Sequence, residues 1–208
     1  AALHALACVH AKVDLEAVGA ALRAMYLPWI EEAARRLQEA AKAAGGLPPL
    51  PTEPAELGAG TCTVFVDGMR YDVAVQLQQR LSALGDVNLS ARWTSLPSVT
   101  ASGKAWCSPV AAHIAGTATD TEFEPRVAAD GKPLSGHNFR KLLNEQGVQP
   151  LDKHETGDPQ GQAWTEAGDL DHYGHEHGVR LARDVDAQLA TVVERVQELR
   201  DAGWRRVR

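Results

Sequence analysis

Cys62-Thr63-Val64-Phe65-Val66-Asp67-Gly68 is the stretch on which the fold turns. Its first five residues are short, β-branched and apolar at consecutive positions, the pattern of a strand buried on both faces of a parallel sheet. Asp67-Gly68 stops the run, and helical spacing follows through Val73, Leu77, Leu81 and Leu84 to Gly85. The order is therefore strand, sharp turn, helix, and it puts Asp67 at a strand's carboxyl end. Beyond it, Val87 to Trp93 alternates apolar and polar residues and reads as a second strand, closed by Pro97 before a helix starting near Thr100.

Farther out, apolar residues recur at three and four along Arg180 to Ala202, at Leu181, Val185, Leu189, Val192, Val193, Val196 and Leu199. This predicts an amphipathic helix capped by Gly203, with Arg205 to Arg208 leading into another strand. Toward the N-terminus, Asp14 to Ala44 is rich in Ala, Glu, Arg and Leu. There Leu15, Val18, Leu22, Met25, Trp29 and Leu37 share a face, and Pro28 is expected to kink the helix or divide it. Domain organisation follows: a helical segment over 1–46, a Pro/Gly-rich linker over 47–60, and an α/β unit over 61–208 with a polar insertion at about 117–162. The expected fold is α/β, with a mostly parallel central sheet flanked by helices. The chain opens without Met and stops directly after a long helical pattern, so both ends are read as cut.

Composition narrows the class. In 208 residues, 44% are apolar and 23% charged, which fits a globular protein and excludes a collagen-like, disulfide-scaffold or disordered chain. Cys8, Cys62 and Cys107 are odd in number and form no CxxC pair, so they are read as reduced thiols. No apolar run reaches the ~20 residues of a membrane span and no signal peptide is legible. A cytoplasmic location without membrane contact is expected. The net charge of −6 gives nucleic acid no general support as a partner, although a local basic patch would be compatible with it.

Three segments could carry chemistry. The densest is Asp169-Leu170-Asp171-His172-Tyr173-Gly174-His175-Glu176-His177-Gly178, with three histidines and three acids in ten residues. Asp171 and His175, four apart, would share one helical face, and carboxylate with imidazole suits zinc or manganese. The bland alternative is a solvated turn whose histidines cap the following helix. Asp67 could merely cap its own next helix, yet in open α/β sheets ligands bind outside the strands' carboxyl ends. The third segment, Leu96-Pro97-Ser98-Val99-Thr100-Ala101-Ser102-Gly103-Lys104, carries three hydroxyls and a lysine. It reads either as a helix N-cap or as a nucleophile with phosphate-favouring amides, and it lacks P-loop spacing.

Together, Val66-Asp67-Gly68-Met69-Arg70-Tyr71-Asp72, Pro97-Ser98-Val99-Thr100-Ala101 and the D-x-x-G-H-x-x-G string from Asp171 to Gly178 resemble, in order and spacing, the alkaline phosphatase superfamily. Within it the resemblance is to the PglZ proteins of BREX phage-defence systems, the type B group above all, and it covers roughly Thr61 to Arg208. It implies an alkaline-phosphatase-like fold and a metal-dependent phosphatase or phosphodiesterase acting on a phosphate ester, beside other BREX defence proteins. It also implies two divalent metal ions, zinc first and manganese as the alternative. By the same resemblance Asp67 is the first-strand metal ligand. Thr100 is the nucleophile, bound to metal and transiently phosphorylated, and Asp171 and His175 are ligands of the other metal. His177, Arg70 and Lys104 receive no role from it. The family's further ligands lie in a T-D-H-G segment after the strand that follows the long helix, so at most half of the ligand set is expected within 61–208.

The chemistry has a physical logic of its own. Threonine is a poor nucleophile at neutral pH, and a metal on its oxygen would remedy that. Two other readings stand beside it. One is an interaction module of a defence complex that uses the same fold with little catalysis, drawn from the N-terminal helix and the insertion. The other is a sulfatase or phosphomutase, which Val99-Thr100-Ala101-Ser102 disfavours because it lacks the C/S-x-P-x-R pattern.

Overall fold

The computed structural model describes residues 8–46, 58–92, 94, 98–116 and 124–208. Strand β1 (Thr61–Phe65) forms where the sequence places it and occupies the interior of a four-stranded sheet. Its neighbours are β5 (Gln162–Glu166) on one edge and β6 (Arg206–Val207) on the other, with β4 (Val148–Pro150) beyond β5. All three pairings are parallel, with Thr61 opposite both Gln162 and Arg206, and Val148 also opposite Gln162. Two further strands, β2 (Ile114–Ala115) and β3 (Arg126–Val127), make a small antiparallel pair apart from this sheet.

Pleating sends successive residues of β1 to opposite faces, and both faces are covered, which is why the apolar run is continuous. Cys62 and Val64 pack with Ala163 and with Leu199 of helix α6 (Leu181–Asp201). Phe65 packs the other way, stacked on Trp164 at 5.6 Å between ring centroids. Trp164 in turn meets Phe139 edge-on at 5.5 Å, and Phe139 belongs to helix α4 (Gly136–Glu145), which also buries Leu142 and Leu143. A third cluster joins Val73 of α2 (Tyr71–Leu81), Leu170 of α5 (Leu170–His177), and Val185 and Leu189 of α6. Each fully buried Leu or Phe contributes about 1.5–3 kcal/mol, so these clusters fix where the strand ends point. The result is a mixed α/β fold with a mostly parallel sheet flanked by helices, as the sequence leads one to expect.

Some details depart from the sequence reading. Residues 86–92 form no strand; Val87 and Leu89 are half-buried, but β1 is already paired on both edges by β5 and β6. Trp93, Pro97 and residues 117–123 lie outside the described residues, as does most of the expected linker, 47–57. Much of the stretch expected as an insertion is core instead, since α4 and β4 supply Phe139, Leu142, Leu143 and Val148 to the main cluster. Strand β5, at the far end of that stretch, is the partner that pairs with β1 along its whole length.

Helix α1 (Lys12–Ala43) runs undivided through Pro28, with Arg35 bridging Glu32 one turn before it and Glu39 one turn after it. None of its residues is buried, and Met25 and Trp29 are 72% and 67% exposed. The periodic face is therefore present, with no core behind it among the described residues. No helix of the described residues is long and apolar enough to cross a membrane.

Candidate active site

Asp67 follows β1 by two residues and lies in the turn before α2, where the strand's carboxyl end opens. It does not cap α2, whose N-cap is Arg70 without a side-chain bond. Its carboxylate instead accepts the backbone N–H of Gly68 at 3.0 Å and the hydroxyl of Thr100, whose Oγ1 stands 3.1 and 3.0 Å from Oδ1 and Oδ2. Thr100 is the first residue of α3 (Thr100–Cys107), after the extended N-cap Val99. No side chain caps that helix either, so the threonine hydroxyl is spent on Asp67 and the capping reading of both residues fails.

The second half of the site arrives on α5. Asp171 and His175 share one face of this helix, with Oδ2 and Nε2 3.5 Å apart. The turn after β1 lies directly against Asp171. Gly68 has φ +69°, and a Cβ there would stand 3.0 Å from the N, Cα and Cβ of Asp171. A positive φ and that close approach together require glycine. Thus one turn holds Asp67 on Thr100 and presses against Asp171, and the four residues singled out in the sequence gather at one end of the sheet.

The histidines do not cap the helix that follows. His172 pairs with Glu176 at 3.3 Å, while the His177 ring stacks on Tyr173 at 4.1 Å with its Nδ1 3.3 Å from the Tyr173 carbonyl oxygen. The Tyr173 hydroxyl donates to Asp184 of α6, and this bond raises the phenol's pKa above its ordinary value. That bond ties α5 to α6 and so steadies the helix bearing Asp171. Among the other hydroxyls of the segment, Ser102 is fully buried with its Oγ 3.2 Å from the Val99 carbonyl, and Ser98 is exposed. Thr100 is the one of the three set against Asp67.

Two carboxylates, an imidazole and a hydroxyl are the donor types that zinc or manganese takes. Asp67 with Thr100 would hold one ion, Asp171 with His175 another. No three His, Cys, Asp or Glu side chains among the described residues stand together as a metal-holding group, so each half offers two donors.

The sequence reading missed one pair at this end of the sheet. Lys104, one helical turn beyond Thr100, forms a close ion pair with Glu166 at the end of β5. Its ammonium lies 6.0 Å from the Phe65 ring centroid and 5.8 Å from that of Phe139. A cleft of about 1000 Å³ opens beside this pair, between α4 and α6, and is lined by Lys104, Phe139, Glu166, Asp169 and His172 among others. None of Asp67, Thr100, Asp171 and His175 lines it. Glu166 escaped notice because β5 follows a polar, Gly- and Pro-bearing stretch that obscures the short run Ala163-Trp164-Thr165.

No family model, no curated protein and no solved structure matches this chain.

Proposed function

We propose that this chain carries residues of an alkaline-phosphatase-like site, and that the protein is a metal-dependent phosphatase or phosphodiesterase of a bacterial phage-defence system. The observation that supports this most directly is the Thr100 hydroxyl donating to both oxygens of Asp67 at a strand's carboxyl end. A hydroxyl held on a carboxylate has its proton acceptor in place and its remaining lone pairs directed away from it. In the proposed step the Thr100 oxygen bonds to phosphorus and its proton passes to Asp67. The phosphorus–oxygen bond to the leaving group breaks, and that group departs with the electron pair. Water then attacks the phosphothreonine, releasing phosphate or a phosphomonoester and restoring the hydroxyl.

Asp67 alone is too weak a base for a threonine, because carboxylic acids are many pKa units more acidic than alcohols. Divalent ions, held by Asp67 with Thr100 and by Asp171 with His175, would acidify the hydroxyl and offset the charge of the phosphoryl oxygens. The chain's own contribution is placement. Gly68 lets the turn approach Asp171, α3 presents Thr100, and the bond from Tyr173 to Asp184 steadies α5. The test is hydrolysis of an aryl phosphodiester with and without chelator. Turnover that survives chelation, or that survives Thr100→Ala, would rule the reading out.

A second reading draws on α1, whose apolar face carries Met25, Trp29 and Ile30 at half exposure or more. It makes the chain an interaction module for other defence proteins, with little catalysis. Defence that survives Thr100→Ala and Asp171→Ala but is lost on deleting α1 would favour it.

A further inference from the structure

We propose that Lys104 is the residue that binds the substrate's phosphoryl oxygens, with Glu166 holding its ammonium until substrate displaces the pair. This rests on the phosphoryl-transfer reading above and supplies what that reading lacks, a fixed cation of the chain's own. Asp67, Asp171 and Glu166 bring three carboxylates to the carboxyl end of β1 and β5, and an entering phosphate ester would be repelled by them. On α3 the cation is Lys104. Residues four apart on a helix share a face, with Cβ atoms about 5–6 Å apart, so Lys104 issues from the same side of α3 as the proposed nucleophile.

Its surroundings hold it there. The ammonium lies over Phe65 and Phe139, within reach of both ring faces, and the side chain is 28% exposed, unlike a lysine dangling in water. Its partner Glu166 is 52% exposed, and an ion pair to so wet a carboxylate is weakly held. A phosphoryl oxygen offers the same ammonium a more highly charged acceptor and can take its place. Lys104 also borders the cleft of about 1000 Å³, which leaves room beside it for the rest of an ester. The substrate class follows: a phosphate ester whose phosphoryl group sits between Thr100 and Lys104 and whose remaining part enters the cleft between α4 and α6.

Inorganic phosphate is the probe, titrated into the full chain and followed by calorimetry, alongside hydrolysis of an aryl phosphodiester. Lys104→Met keeps an apolar stem against Phe65 and Phe139 while removing the charge. It is expected to weaken phosphate binding about tenfold or more, the size of losing a charge-assisted hydrogen bond, and to raise KM more than it lowers kcat. Lys104→Arg is expected to recover most of the binding, and Glu166→Gln to tighten it several-fold by freeing the ammonium. Thr100→Ala should abolish turnover, and Lys104→Met added to it should still weaken phosphate binding further, which separates the two proposals. If Thr100→Ala remains active while Lys104→Met still loses phosphate, the nucleophile is wrong and the anion site stands. Phosphate binding equal in wild type, Lys104→Met and Glu166→Gln, or absent from the folded wild type, would overturn the role given to Lys104.

Discussion

Replacing Gly68 by alanine tests the contact on which the site's assembly depends, and Gly131 provides its control. The two glycines have nearly the same φ, +69° and +70°. Alanine in that region costs about 1–2 kcal/mol at either position. They differ in what surrounds them. A Cβ on Gly131 meets nothing within 4 Å, whereas one on Gly68 stands 3.0 Å from the N, Cα and Cβ of Asp171. Two of those atoms are helix backbone, which cannot rotate away, so the turn or α5 must move, and crowding of this kind costs about 1–3 kcal/mol more. Gly131→Ala should therefore lose about 1.5 kcal/mol and Gly68→Ala about 3.5 kcal/mol. With an m-value of about 2 kcal/mol per molar in urea, the midpoints would fall by about 0.75 M and about 1.75 M. Equilibrium urea unfolding followed by tryptophan fluorescence measures both. Equal shifts would refute the reasoning, because they would mean that the turn after β1 does not rest on Asp171.

Other expectations follow from the same structure. Leu189 is fully buried where α2, α5 and α6 meet, and Leu189→Ala should cost about 2–5 kcal/mol in the same unfolding assay; a loss below about 1 kcal/mol would show that this cluster is not packed as described. Burial pushes the Cys62 thiol up to about 12, with nearby Arg195 opposing the shift in part. An acid whose folded pKa is raised loses fewer protons folded than unfolded. Its contribution is therefore fully present below the unfolded thiol's pKa of about 8.5 and fades as pH rises toward the folded value. Stability should fall over that alkaline range, and the part of the fall due to Cys62 should vanish in Cys62→Ala; an identical pH dependence in the two proteins would contradict the burial. At pH 8 an alkylating reagent should modify exposed Cys8 in the folded chain and reach Cys62 only on unfolding, a difference that peptide mapping resolves.

How far the sequence carries the fold depends on how each element is stabilised. The run Cys62 to Val66 could be read because burial on both faces leaves an uninterrupted apolar signature, and α6 because Val185, Leu189, Val192 and Leu199 line its buried side. Strand β5 could not, since Gln162 and Glu166 at its ends are polar and only Ala163, Trp164 and Thr165 are buried. At Val87 to Leu89 the pattern misled: half-buried alternation resembles a strand, but hydrogen-bond partners decide whether one forms, and periodicity does not report them. Helix α1 shows the complementary failure, an apolar face that implies a core and has none behind it among the described residues.

At the site, Asp67, Asp171 and His175 stood out by residue type and position, whereas Thr100 was singled out among three hydroxyls only by the resemblance, and its bond to Asp67 joins residues 33 apart in sequence. Lys104 was visible as a residue and had no role, because its partner sits on a strand that the sequence concealed. The choice among Ser98, Thr100 and Ser102 likewise depended on burial and direction, which three neighbouring hydroxyls in one short segment do not reveal.

The most direct measurement is to quench the full chain with acid during turnover of an aryl phosphodiester and locate any covalent phosphate by peptide mass spectrometry. Phosphoryl transfer through Thr100 requires one phosphoryl group, still bearing the diester's second ester group, on the peptide containing that threonine, absent after Thr100→Ala and absent when chelator precedes the substrate. Turnover with no phosphorylated peptide, or with the phosphate on Ser98 or Ser102, would contradict it.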